Sequence, residues 1–260
     1  AGQVERNDGD GVVRREWHDG QWMSRHHLKV VTEAAARHIA INPHEPIKDT
    51  GLRRTYPNWV AREGARGMEY NAWGNPPNPP EHEANLVFTR MLSGPMDFTP
   101  GILSLQGRGQ PLQSTLAKQL ALYVVIYSPI QMAADLPEHY EARPDAFKFI
   151  KDVPADWSET RVLNGEVGDF VTIARKDRRS ESWYLGSLTD EHGRVLEVPL
   201  SFLAPDRRYA AEIYRDGDKA HWKEAPFEFA VDKRELTSAD VLSIRLAAGG
   251  GQAIRFVPKG

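Results

Sequence analysis

The feature that most constrains this 260-residue chain is a change of hydrophobic rhythm near Pro154. Before it, helical spacings alternate with short apolar runs. After it, short runs rich in Val, Ile, Phe and Tyr follow one another between turn signals. Such a chain must build two kinds of packing, α/β first and all-β second, so the expected units are residues 1–155 and 156–260.

In the first unit, Ser24 to Arg37 carries Leu28, Val31, Ala34 and Ala35 at helical spacing, with Ser24 as the predicted N-cap. His38 to Asn42 and Trp59 to Ala61 read as buried strands, Asn85 to Leu92 as a helix, and Pro137 to Lys151 as the last helix before the break. Ser114 to Tyr127 is the clearest helix, with Leu116, Leu120, Tyr123, Val124 and Tyr127 on one face. The strand-like runs end in Glu45, Glu63, Asp97 and Asp135. In a (β/α)8 barrel, strand ends form the active-site face, so acids there suit a hydrolase; loop charges and helix caps are the competing reading.

The second unit has seven strand candidates: Gly168 to Arg175, Ser182 to Thr189, Val195 to Leu203, Tyr209 to Tyr214, Phe227 to Val231, Val241 to Leu246 and Ala253 to Val257. An antiparallel β-sandwich fits them. Gly249-Gly250-Gly251 lacks the Lys-Ser/Thr ending of a phosphate loop and is expected to turn the chain into the last strand.

Thirty-three basic against 36 acidic residues leave a net charge of −3, which gives no footprint for nucleic acid or an anionic membrane. No apolar run approaches the roughly 20 residues of a bilayer span. The absence of Cys excludes disulfides and thiolate chemistry. The opening Ala-Gly-Gln-Val, without Met, fits a processed chain or a portion of a longer one, and residues 7–11 read as a loop.

The densest polar cluster runs from Pro43 to Glu83, interleaved with Trp59, Tyr70 and Trp73. Glu63 and Glu69 are six apart in a Gly-rich stretch, an even spacing that puts both on one side of an extended segment. With Glu45 they suit either a glycosidase carboxyl pair or a calcium ion. A structural ion-pair network is the alternative. His44-Glu45 does not begin a zinc-protease motif, because Lys48 stands where the second His belongs, and no Gly-x-Ser-x-Gly elbow exists.

His44 to Asn58, Arg62 to Trp73, Phe88 to Gly101, Leu116 to Tyr123 and Trp157 to Glu166 closely resemble glycoside hydrolase family 97. The resemblance implies the later strands of a catalytic (β/α)8 barrel plus the family's C-terminal β domain, with the N-terminal domain and early barrel strands lying outside the sequence. By position, Glu69 resembles the general acid, Glu45 the general base of the inverting members, and Glu63 a Ca2+ ligand sharing its ion with Glu45 and Glu69. Retaining members, among them α-galactosidases, lack a glutamate at the position of Glu45. The resemblance therefore implies a calcium-dependent, inverting, exo-acting α-glucosidase on maltooligosaccharides or similar α-glucosides, with His44, Arg62 and Trp73 touching sugar. A retaining α-galactosidase and a non-catalytic carbohydrate-binding or assembly fragment are the alternatives. The family also suggests a periplasmic or secreted enzyme, of which this portion alone is expected to be inactive.

Overall fold

The computed structural model describes residues 2–260. It opens on an antiparallel hairpin, β1 (Gln3–Asn7) and β2 (Val13–Trp17), paired from Gln3 with Trp17 to Asn7 with Val13. The predicted loop is the hairpin's turn, in which the side chains of Asn7 and Asp10 accept from the amides of Gly9 and Val12.

Helix α1 (Gln21–Ala35) starts earlier than its spacing suggested, at Gly20 rather than Ser24. The Ser24 hydroxyl donates back to the Gly20 carbonyl at 3.0 Å, a bond made inside the first turn rather than a cap. Of this helix Val31 alone is fully buried, against Ile47 and Trp59. The two short strand candidates that follow meet in a single parallel bridge, Ile41 with Trp59, and a second such bridge joins Arg62 to Met96. His38 is left-handed (φ 56°) and still hydrogen-bonded to Ala35, so it closes α1 instead of opening a strand.

Beyond these bridges lie α2 (Leu52–Thr55), a 3-10 turn at Met68–Ala72, α3 (His82–Phe88) and a second 3-10 turn at Arg90–Ser93. Parallel bridges with helical segments between them form the α/β part of a partial (β/α)8 barrel. The predicted helix ending at Lys151 is two helices, α5 (Pro137–Glu141) and α6 (Pro144–Asp152). Pro144 explains the break, since proline suits a first helical turn and not an interior.

Helix α4 (Leu116–Val125) is capped by the Thr115 hydroxyl, which accepts from the Lys118 amide. The sequence suggests one apolar face, yet all ten residues are buried, Lys118 and Gln119 included. The cause is that α4 lies between the barrel part and a sheet. Six strands form that sheet, in the order β3 (Trp157–Glu166), β4 (Phe170–Asp177), β5 (Trp183–Thr189), β10 (Gly251–Pro258), β7 (Tyr209–Asp216), β8 (Phe229–Leu236). Its inner face packs on the β6 (Arg194–Pro199) and β9 (Val241–Leu246) ribbon around Leu185, Ile213, Ile244 and Phe256. Its other face receives α4 and α6 around Leu120, Phe149, Tyr184 and Tyr214. Strand β5 is therefore buried on both faces over its whole length.

A Cβ on Gly186 would stand 2.7 Å from the Ala121 carbonyl, and one on Gly251 would stand 2.6 Å from Lys118 Cα. Only glycine lets the helix come this close to β5 and β10. Buried Lys118 pairs with buried Glu83 at 3.1 Å and donates to the Thr189 carbonyl at 3.1 Å, tying α3, α4 and β5 together. Asp216, at the end of β7, accepts from the Thr115 hydroxyl at 2.6 Å and from the amides of Ala247 and Gly251 at 2.9 and 3.0 Å. Among the described residues no helix is long and apolar enough to cross a membrane.

Candidate active site

The site gathers where the two parallel bridges end. Asn42, His44 and Glu45 follow bridge residue Ile41; Glu63 follows bridge residue Arg62; Asp97 follows its partner Met96. Backbone bonds hold these ends side by side, from the Glu63 amide to the Pro43 carbonyl at 3.2 Å and from the Asp97 amide to the Arg62 carbonyl at 2.9 Å. Glu69 comes from the 3-10 turn at Met68–Ala72, which the Met68 amide anchors to the Phe98 carbonyl at 2.8 Å. Arg90 braces the mouth from behind, donating to the carbonyls of Arg62, Glu63, Gly94 and Pro95. Burial among these carbonyls lowers its guanidinium pKa to about 10.

Ligand atoms of His44, Glu63 and Glu69 all lie within 4.8 Å of one another. The imidazole is oriented by buried Asp97, whose Oδ2 stands 2.9 Å from His44 Nε2 and also accepts from the Asn42 side-chain Nδ2 at 2.7 Å. His44 Nδ1 then faces Glu69 Oε1 at 3.3 Å and Glu63 Oε2 at 3.9 Å. The Asp97 bond, with the Glu63 and Glu69 charges adding to it, raises the His44 pKa above its ordinary value. Burial likewise pushes the Glu63 carboxyl up, against the lowering pull of the Glu45 amide and His44.

Glu45 joins the cluster through its backbone, its amide donating to Glu63 Oε2 at 3.3 Å, while its side chain stays exposed. It is one of five non-glycine residues with positive φ among the described residues, at 48°; Thr99, near the Glu69 turn, is another at 58°. Left-handed residues without glycine gather at sites where the surroundings enforce them.

Sequence reasoning brought Glu63 and Glu69 together correctly, but by another geometry than the extended segment it assumed, because Glu69 sits in a 3-10 turn. His44, not Glu45, is the third member of the close cluster. Arg62, expected to touch sugar, is a correction: it is buried, ion-paired with Asp49, bonded to the Ser93 carbonyl at 3.1 Å and laid over the Trp59 ring. Arg62 and Glu63 are neighbours on extended backbone, so their side chains leave on opposite sides. Trp73 is exposed and meets Tyr70 edge-on, with ring centroids 6.3 Å apart. Asp97, read as one strand-end acid among several, turns out to orient the histidine; Asp135 instead binds the amides of Ser104 and Leu136 and the His139 ring. Glu83 serves Lys118, and His82 bonds the Arg66 carbonyl, so neither belongs to the cluster.

The donor set fits a hard divalent cation in its carboxylates. Glu63 and Glu69 offer oxygens within one ion's reach and Glu45 borders them, whereas calcium has little use for the His44 nitrogen, which Asp97 holds from the other side.

Comparisons with known proteins agree on one relationship. The model described as "Glycoside hydrolase 97" matches residues 4–65, and that described as "Glycosyl-hydrolase 97 C-terminal, oligomerisation" matches residues 156–257. The chain is 34% identical to "Retaining alpha-galactosidase" from Bacteroides thetaiotaomicron over 92% of its length and 37% of that protein. It is also 56% identical to a glycoside hydrolase family 97 enzyme from Pseudoalteromonas sp. strain K8, solved in complex with acarbose, with a TM-score of 0.96. That match covers all of this chain and 41% of the other. A variant of the same enzyme, solved in complex with panose, matches at 55% identity with a TM-score of 0.96.

Proposed function

Because the chain belongs to glycoside hydrolase family 97, we propose that it supplies part of the catalytic barrel and the C-terminal β domain of an inverting, exo-acting α-glucoside hydrolase. The observation that carries this reading is the meeting of Glu63 and Glu69 at His44, with the backbone of Glu45 bonded to Glu63, at the ends of parallel strand segments. Higher identity to the enzyme solved with acarbose and panose than to the retaining α-galactosidase favours α-glucosides, as does the glutamate at position 45.

In the proposed reaction Glu69 gives its proton to the glycosidic oxygen as the bond to the anomeric carbon breaks, the electron pair staying on that oxygen. A water attacks the anomeric carbon from the opposite face, and Glu45 takes its proton. Inversion needs the two carboxyls roughly 6.5–9.5 Å apart to admit that water. His44 Nδ1, 3.3 Å from Glu69 Oε1, and Asp97 behind it hold the acid's position. A calcium ion held by Glu63, Glu69 and Glu45 would neutralise the gathered carboxylates and bind sugar hydroxyls.

The test is the anomer released by the full-length enzyme from maltose, followed by proton NMR in the first minutes. β-Glucose appearing first is expected. α-Glucose first, or turnover of α-galactosides in preference, would establish the retaining reading instead.

A further inference from the structure

A cleft of about 320 Å3 opens against Glu69, and of the acid cluster only Glu69 lines it. Apolar Ile102 and Ala134 and polar Thr99, Gln106 and Arg108 complete its walls. Gln106 and Arg108 stand on a small hairpin, in which Gln106 bridges Pro111 antiparallel and the Leu112 amide donates to the Leu105 carbonyl at 2.9 Å. This hairpin is clamped to the turn that carries Glu69: the Gln110 side-chain amide donates to the carbonyls of Asn71 and Gly74, both at 2.8 Å. A Cβ on Gly107 would stand 2.4 Å from the Asn71 carbonyl, so the contact admits nothing larger than glycine. Acid and hairpin thus form one rigid unit.

Among the described residues, neither Gln106 nor Arg108 spends its side chain on a hydrogen bond or ion pair, although both line a cleft. Uncommitted donors beside a small apolar wall suit a sugar, which offers hydroxyls at its rim and C–H groups on its faces. The proposed chemistry then decides which sugar. Glu69 protonates an oxygen that departs with the leaving sugar, and the His44, Glu63 and Glu45 side of Glu69 is taken by the attacked ring. The leaving sugar is left with the cleft.

We propose that the Gln106–Pro111 hairpin is the leaving-group subsite, Gln106 and Arg108 binding the hydroxyls of the sugar that departs and so setting preference for chain length and linkage. This rests on the reading of Glu69 as the acid of an α-glucoside hydrolase. The experiment compares maltotriose with α-D-glucosyl fluoride, whose leaving group is a lone fluoride and cannot reach the cleft. In the full-length enzyme, Arg108→Ala should lower kcat/KM for maltotriose roughly tenfold, the size of one lost hydrogen bond to a charged donor, chiefly through KM. Gln106→Ala should act in the same direction, Arg108→Lys should recover part of the loss, and the fluoride should be hydrolysed at an unchanged rate by all three. Equal losses on both substrates would put the attacked sugar in the cleft and overturn the proposal, as would no loss on either. Failure of the unsubstituted enzyme to hydrolyse either substrate would overturn the α-glucoside reading itself, and the subsite with it.

Discussion

Asp216 offers a test of how the β domain is fastened to the barrel part. Its carboxylate is the common acceptor for the Thr115 hydroxyl, at the start of α4, and for the amides of Ala247, just after β9, and Gly251, the first residue of β10. Asp216→Ala leaves three buried donors without an acceptor. At about 1–2 kcal/mol for each, the loss is about 3–6 kcal/mol when the aspartate is neutral. Burial pushes the Asp216 pKa up to about 6, the three donors pulling the other way. A raised carboxyl pKa means that the folded state binds the proton more tightly than the unfolded chain. The stabilisation is then full below about pH 4 and is lost as pH rises through about 6. The shift is worth about 3 kcal/mol over the whole titration, of which about 2 kcal/mol falls between pH 4.5 and pH 7, so Asp216→Ala should cost about 2 kcal/mol less at pH 7 than at pH 4.5. Asp216→Asn, which can turn its carbonyl to the two amides and its NH2 to Thr115, should cost little at pH 4.5 and flatten the profile. The assay is hydrogen exchange of the Ala247 and Gly251 amides in the full-length enzyme, with urea unfolding of the same variants at both pH values. Equal cost of Asp216→Ala at both pH values would refute the burial argument. An asparagine as damaging as alanine would refute the hydrogen-bond argument.

Other outcomes follow from the site and the core. Glu69→Gln should lower kcat on maltose by about 10^2–10^4, the usual worth of a general acid, while leaving most activity on α-D-glucosyl fluoride. Glu45→Gln should abolish both, and survival of fluoride hydrolysis would sink the base assignment. Chelation with EDTA should remove activity and calcium restore it; indifference to chelator would end the calcium reading. Lys118→Ala strands buried Glu83 and should cost about 3–5 kcal/mol in denaturant unfolding, whereas Lys118→Met combined with Glu83→Leu should recover most of that.

The β domain was largely legible from its sequence, because alternation and turn signals are local; Val241–Leu246 has the predicted bounds. Strand β3 escaped notice because Ser158, Glu159, Thr160 and Arg161 make it polar, as an edge strand can be, and two register shifts interrupt its pairing with β4. The parallel segments could not be drawn at their true length, since a strand in a barrel is defined by its neighbours and here pairing reduces to single bridges. At the site, spacing found Glu63 and Glu69 within one segment. It named His44 and Asp97 but had no access to their pairing, since they are 53 residues apart and meet through folding alone. Strand parity does carry a usable signal: once Glu63 is placed in the site, its neighbour Arg62 must face away, toward Asp49.

The close seating of α4 on β5 and β10 bears on how such enzymes recombine. The family's C-terminal match begins at residue 156, but a segment cut there parts the sheet from the helix that fills the hollow over Gly186 and Gly251. A chimera joining the β domain of one relative to the barrel of another would set a foreign helix against glycines placed for this one. Grafts that carry residues 115–126 with the sheet should therefore fold where those joined at 156 aggregate.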